Sequence, residues 1–324
     1  ITGNIEYYSM STHDMIMNMP LPNFSGFNSI TTNLGEVSNK GVEVYISSQN
    51  IKNNILEWSS SLSFSYNKNR IKHLFYQYEN ILDDEGNLIG VKEKDRVESG
   101  WFIGQPISAI WDYNVTGIWQ VDEVEEARRH GQVPGDPKVA NNYTADDGTN
   151  ADGSVKPTYN NLDKEFLGQT TPPILWSLRN DFTLFKNIDL SFNIYSYMGH
   201  KSLNGNYLNR DNGGSSITYN YNTTAKEYWT LENPTNKYGR LDALGPAGAT
   251  NVNKLYSRSF IRLENISVGY TLPVQYTQMV DVEKMKLFAS IRNVAVWSKE
   301  WEYADPETGG LATRLFSLGL NIVF

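Results

Sequence analysis

From Phe316 to the last residue, apolar side chains fall on every second position. Phe316, Leu318, Leu320, Ile322 and Phe324 alternate with Ser317, Gly319 and Asn321, and Val323 is the one apolar exception. A period of two puts successive side chains on opposite faces of a β-strand, so one face is oily and the other small or polar. The pattern recurs. Trp58, Ser60, Leu62, Phe64 and Tyr66 stand against Ser59, Ser61, Ser63, Ser65 and Asn67. Ile174, Trp176, Leu178, Phe182 and Leu184 share a face interrupted by Asn180. Ile188, Leu190, Phe192, Ile194 and Met198 oppose Asp189, Ser191, Asn193 and Tyr195. Val42, Val44 and Ile46, then Ile266, Val268, Tyr270 and Leu272, then Leu287, Ala289, Ile291 and Ala295 complete the set. Each ribbon needs a dry medium on one side and a wet one on the other.

The links between ribbons alternate in length. Ile46 to Trp58 is short, and Phe185-Lys186-Asn187 is shorter, whereas 69–172 and 200–257 are long, as is 13–39. Antiparallel outer-membrane barrels have short periplasmic turns and long external loops. This parity predicts eight strands, the first roughly Asn4–Ser11. It places the three long links and 298–310 outside, and Pro273–Lys284 in the periplasm. A further hairpin is expected within 101–120. Trp58 and Tyr66, eight residues apart on one face, span ~27 Å along a strand, or ~20 Å vertically at a tilt of ~40°. That suits interfacial aromatics at both edges of an apolar band ~25 Å tall. The same alternation also suits a soluble sandwich.

Composition narrows the choice modestly. The 324 residues include 20 Tyr and 8 Trp, with aromatics at 13%. No run of about 18 apolar residues exists to form a membrane helix, a test to which barrel strands are blind. A net charge of -8 argues against nucleic acid as partner. The absence of cysteine excludes disulfides, thiolate zinc sites and cysteine nucleophiles. Ile1, with neither a methionine nor a signal region before it, reads as the middle of a longer chain.

Several phrases, in order, resemble the SusC/RagA-type TonB-dependent outer-membrane transporters of Bacteroidota. They are Asn33 to Glu43 (NLGEVSNKGVE), Trp58 to Asn69, Gly104-Gln105-Pro106-Ile107, Gly117-Ile118-Trp119-Gln120 and Pro134-Gly135-Asp136. Phe260 to Pro273 (FIRLENISVGYTLP) is the strongest, followed by Arg292-Asn293, Asp305-Pro306-Glu307 and the terminal Phe324. The resemblance implies an all-β, antiparallel transmembrane β-barrel. Residues 1–324 would be the C-terminal strands of a barrel of about 22 strands with long extracellular loops, the plug and N-terminal strands lying elsewhere. It implies import of a bulky nutrient, glycan or oligopeptide, at the outer membrane of a Gram-negative bacterium. Its partners would be a SusD-like surface lipoprotein above, TonB through the N-terminal region, and lipid around the wall.

Candidate site residues fall in three groups. Trp101, Trp111, Tyr113, Tyr228, Trp229, Trp301 and Tyr303 lie in external links, where aromatics stack on substrate, grip a lid or pack the loops. Ser61, Ser63, Asn193, Ser267 and Arg292 lie on the polar side of strands and would line a lumen. Asp146, Asp147 and Asp152 form a candidate calcium site but lack the spacing of a calcium loop; an Asp/Asn/Gly turn cluster explains them equally. No other cofactor is expected. His13, His73, His130 and His200 are scattered. Glu123, Glu125, Glu126, Arg128 and Arg129 read as a solvated helical turn. No catalytic constellation emerges, so the chain reads as a non-enzyme. Two alternatives stand beside import: a soluble carbohydrate-binding β-sandwich, and a surface or secretion-associated barrel.

Overall fold

The computed structural model describes residues 1–20, 29–83, 85–143, 147–206, 210–211, 214–215, 227–249, 252–301 and 304–324. The chain divides into two compact units: 1–108 with 171–200 and 257–324, and 109–170 with 201–256.

The first unit is built on an eight-stranded antiparallel sheet in which each strand pairs with its sheet neighbour in chain order. Its strands are β1 (Thr2–Pro20), β2 (Ser29–Lys52), β3 (Leu56–His73), β4 (Ile174–Leu184), β5 (Ile188–Met198), β6 (Phe260–Thr271), β7 (Lys284–Ser298) and β8 (Leu315–Val323). β1 and β8 are the edges of this sheet. Phe185 and Lys186 both have positive φ, 52° and 65°, and Asn187 N–H donates to Leu184 C=O at 3.1 Å. That is the two-residue turn whose twist suits an antiparallel pair.

Register carries the main result. Ile46, Leu62, Leu178, Ile194, Leu263 and Ala295 are successive cross-strand partners from β2 to β7. The next row runs Val44, Phe64, Trp176, Ser196, Ile261 and Trp297. A slip of one residue in any pair would turn that strand's oily set to the other side; none does. The opposite face carries its own row: Gln49, Ser59, Asp181, Ser191, Ser267, Ser290 and Ser317. Ser191 and Ser267 hydroxyls lie 2.8 Å apart across β5 and β6.

The apolar face is uncovered. Leu62 is 37% exposed, Leu320 54% and Leu318 78%. A sandwich would have buried these residues between two sheets. Among the polar side chains on this face, Asn180 is buried, accepting from Trp58 Nε1 (3.0 Å) and Ser60 Oγ (2.6 Å). These bonds satisfy an oxygen that would be costly to leave bare in an apolar medium.

Two expectations need correction. The link at 13–39 is mostly strand: β1 runs on to Pro20 and β2 begins at Ser29, while 21–28 lie outside the described residues. The alternation fails there because the ladder has bulges between Thr12 and Ile16, yet an existing ladder extends without a new loop to close. Its polar-side residues Val37 and Ile71 pack with Met17 and Leu74 under Trp101, Phe75 and Ile103. Nor is there a hairpin within 101–120. Ala109–Tyr113 pairs with Lys164–Gln169, and Val115–Ile118 with Pro137–Val139. Local turn spacing cannot reveal partners so far along the chain.

The second unit has its own core of Ile118, Val139, Tyr159, Trp229, Ala249 and Val252. Gly135 (φ 92°) is required there, since a Cβ would lie 2.6 Å from the Trp229 ring. The charged turn is a helix, Val124–Arg129, with Arg128–Glu125 (2.8 Å) and Arg129–Glu126 (2.7 Å) pairs at its surface.

Two predictions follow from these contacts. Leu62→Arg should abolish folding of the full-length protein in lipid, since arginine on a lipid face costs about 2–4 kcal/mol at mid-depth. Ser63→Leu should leave it folded; heat-modifiable migration reads both. In the link after β3, the Glu93 carboxylate accepts Leu74, Phe75 and Tyr76 N–H (2.8, 3.0 and 2.8 Å) and faces His73 Nδ1 at 2.8 Å. Burial alone would raise its pKa, but the His73 and backbone contacts outweigh it and hold the group below its ordinary value. Its stabilisation is complete above the unfolded carboxyl pKa of about 4.3 and is lost as pH falls through the lower folded value. Hydrogen-exchange protection of residues 74–76, taken relative to the unfolded-chain rate at each pH, should fall on that descent, and in Glu93→Gln it should already be low at neutral pH.

Candidate functional site

The polar face of the first unit holds a concavity of about 540 Å³. Asn4, Glu6, Glu43, Tyr45, Ser63, Ser65, Ser177, Asn193, Tyr195, Tyr197 and Glu307 line it, from five adjacent strands and the link after β7. The register places these side chains together. Tyr45, Ser63, Ser177 and Tyr195 are successive partners, and Glu6 stands directly opposite Glu43.

At one end the wall is held by a buried polar cluster. Arg262 continues the row of Tyr195 and is 4% exposed. Its Nη2 donates to Asp305 Oδ2 at 2.5 Å, and its Nη1 donates to Asn293 Oδ1. Asn293 takes positive φ (54°) where β6 and β7 shift register. Bulges of this kind re-aim side chains. Asp305 Oδ1 accepts Glu307 and Thr308 N–H at 2.9 and 3.0 Å, Arg258 donates to Pro306 and Glu307 carbonyls at 2.8 and 3.0 Å, and Tyr195 OH donates to Glu307 Oε2 at 2.5 Å. Burial would raise the Asp305 pKa, but the Arg262 guanidinium and two backbone N–H groups hold it below the usual range. Nearby His200 is buried and pushed down to about 4, with the Arg258 charge adding to the effect. Three phrases read separately in the sequence, around Arg262, Asn293 and Asp305, thus converge on one contact.

The aromatic candidates do not gather at one place. Trp101 packs beside Met17 and Ile71, beneath Arg96. Trp301 lies under the Arg258 guanidinium at 5.0 Å. In the second unit, Trp111 and Tyr113 share Lys164 Nζ at 5.0 and 5.1 Å. Trp229 is buried and donates to Gln120 Oε1 at 3.0 Å, and Tyr228 is 37% exposed. Tyr303 lies outside the described residues. Ser61, Ser63, Asn193, Ser267 and Arg292 lie on the polar face, Arg292 paired with Glu264 at 3.0 Å.

Asp146 also lies outside the described residues. Asp147 Oδ1 accepts Thr158 N–H at 2.6 Å, and Asp152 Oδ1 accepts both Ser154 N–H and its hydroxyl. Asp152 closes a local turn, whereas Asp147 reaches a residue eleven positions on and its Oδ2 is buried without a hydrogen-bond partner among the described residues; no metal-holding group of three His, Asp or Glu occurs among those residues. No helix there is long and apolar enough to cross a membrane.

The buried pair sets up a test. Arg262→Met leaves Asp305 buried and unpaired, which should cost about 3 kcal/mol or more and expose 299–314 to protease. Arg262→Met with Asp305→Asn should recover part of the loss, because the amide carries no buried charge and its oxygen still accepts the Glu307 and Thr308 N–H groups.

No family model matches the chain. It is 26% identical over 340 residues to TonB-dependent receptor P3 of Formosa agariphila, covering 99% of the chain and 32% of that protein. It is 23% identical over 336 residues to TonB-dependent receptor SusC of Bacteroides thetaiotaomicron, covering 100% of the chain and 30% of SusC. Among solved structures, that of the RagAB peptide transporter superposes with a TM-score of 0.68 at 21% identity, covering 99% of the chain and 33% of the matched chain. The chain thus spans about a third of the length of the relatives it matches. With eight register-locked strands and one bare apolar face, it has the fold of the matching portion of the RagAB barrel and is similar in sequence to TonB-dependent outer-membrane receptors of Bacteroidota, SusC among them.

Proposed function

We propose that this chain forms the C-terminal run of wall strands in a TonB-dependent importer of bulky nutrients, a barrel of about 22 strands. The polar face lines the lumen, with Ser61, Ser63, Asn193, Ser267 and Arg292 on the wall around a plug. The strands beyond β1 and β8 come from the rest of the wall, because bare edges are not tolerated in hydrocarbon. Energy reaches the plug through TonB, a reading supported by the similarity to TonB-dependent receptors. The external links meet a SusD-like lipoprotein. Cargo is a glycan or an oligopeptide; the RagAB barrel that this fold matches is that of a peptide importer.

The observation that carries this reading is the bare, continuous apolar face opposite a continuous polar one. A surface or secretion-associated barrel would share that wall but would not transport under TonB control. This chain has no cysteine, and any elsewhere in the full-length protein are replaced by serine before single cysteines are placed. Cysteine at Ser63 or Ser267 of the full-length protein in vesicles should react with a water-soluble maleimide, and cysteine at Leu178 or Leu318 should not. Uptake of labelled oligopeptide or glycan mixtures should cease when TonB is deleted. Uptake that persists without TonB contradicts import by this route.

A further inference from the structure

The apolar column of β3 does not stop at Tyr66. Lys68, Arg70 and Lys72 continue it at the same period of two, toward the end where the long links leave the sheet. Pairing with β2 is regular from Tyr66–Val42 to Ile71–Val37. Lys68 and Arg70 therefore stand on the face of Leu62 and Phe64, the face turned to lipid. Lys40 is the cross-strand partner of Lys68, and Ser38 that of Arg70, with Ser9 and Ser11 next on β1.

The arrangement is unbalanced by itself. Like charges directly opposite on one face of a sheet repel. Lys40, Lys68 and Lys72 are exposed, and among the described residues none of the four cations is paired with a carboxylate. Glu36, further along this face of β2, is engaged by Ser11 Oγ at 2.8 Å and faces His13 Nδ1 at 3.3 Å. On the opposite face the neighbours are neutral: Asn69 donates to Asn39 at 2.9 Å, and Ile71 is buried.

Height favours lipid as the counter-charge. Lys68 and Arg70 lie ~7 and ~13 Å beyond Tyr66 along the strand, or ~5 and ~10 Å above it at a tilt of ~40°. The polar layer on each side of a bilayer is ~5–8 Å thick, so Lys68 stands within it and Arg70 just beyond its outer boundary, from which a long cationic stem reaches back. A protein partner would more naturally meet the links than a column continuous with the hydrocarbon face.

We propose that Lys40, Lys68 and Arg70, extended by Lys72, bind the phosphate groups of an anionic lipid in the outer leaflet. The lipid offsets the repulsion between Lys40 and Lys68 and anchors the wall beside the lengthened β1–β3 segment.

The test uses the full-length transporter in non-ionic detergent, read by native mass spectrometry and thermal unfolding. Its probes are bisphosphorylated lipid A, the same lipid dephosphorylated, and inorganic phosphate. The phosphorylated lipid should bind and raise Tm, while the other two should not. In K40Q/K68Q/R70Q its affinity should fall by about tenfold or more, while Tm in detergent alone should not fall, because the repulsion between Lys40 and Lys68 is relieved. K40R/K68R should retain binding and control for folding. Equal binding by the triple variant, equal binding of the dephosphorylated lipid, or the same Tm shift from inorganic phosphate would each overturn the site.

Discussion

Hydrocarbon offers no hydrogen bonds, and this chain's organisation follows from that. Every backbone N–H and C=O within the membrane must be satisfied by the ladder itself. Once the ladder is obligatory, register becomes the variable that matters, since one slipped residue would turn an oily row to water and a serine row to lipid. The rows through Leu62 and Ser191 cross the sheet without such an error, even where β6 and β7 shift register at Glu264 and Asn293. The shifts restore phase: Leu263 and Ile266 have opposite parity in sequence yet share a face.

That adjustment has a second consequence. The register shift that keeps the apolar row intact brings Arg262 and Asn293 together on the polar side, where Asp305 and Glu307 close the cluster. The link after β7 is thereby fastened to the same face as the tyrosine-lined concavity. Membrane register and the shape of the polar wall are coupled through four side chains. The cluster is costly in desolvation and relies on every member being present.

Much of this was legible in the sequence, for a definite reason. Period-two alternation records contact with two media, so all eight wall strands were visible wherever both media were present. Past Thr12 the ladder is bulged and Val37 and Ile71 pack into an apolar cluster, so β1 and β2 lose that contrast there and their pattern reads as a loop. The pairing of Ala109–Tyr113 with Lys164–Gln169 left no local trace, because neither segment's pattern names its partner. The Arg262–Asp305 contact joins phrases 43 residues apart; its parts were visible and their meeting was not. Asn180 registered only as an interruption, and Trp58 and Ser60 supply its explanation. The aromatic candidates rest on residue type and on lying in the long links, and neither separates buried Trp229 from exposed Tyr228.

The most direct measurement is an experimental density map of the intact parent protein in a lipid nanodisc. The account requires acyl-chain density against Ile46, Leu62, Leu178, Ile194 and Leu263, with the serine row facing the enclosed interior. Protein packed over that apolar row, or lipid against Ser59, Ser191 and Ser267, would contradict it.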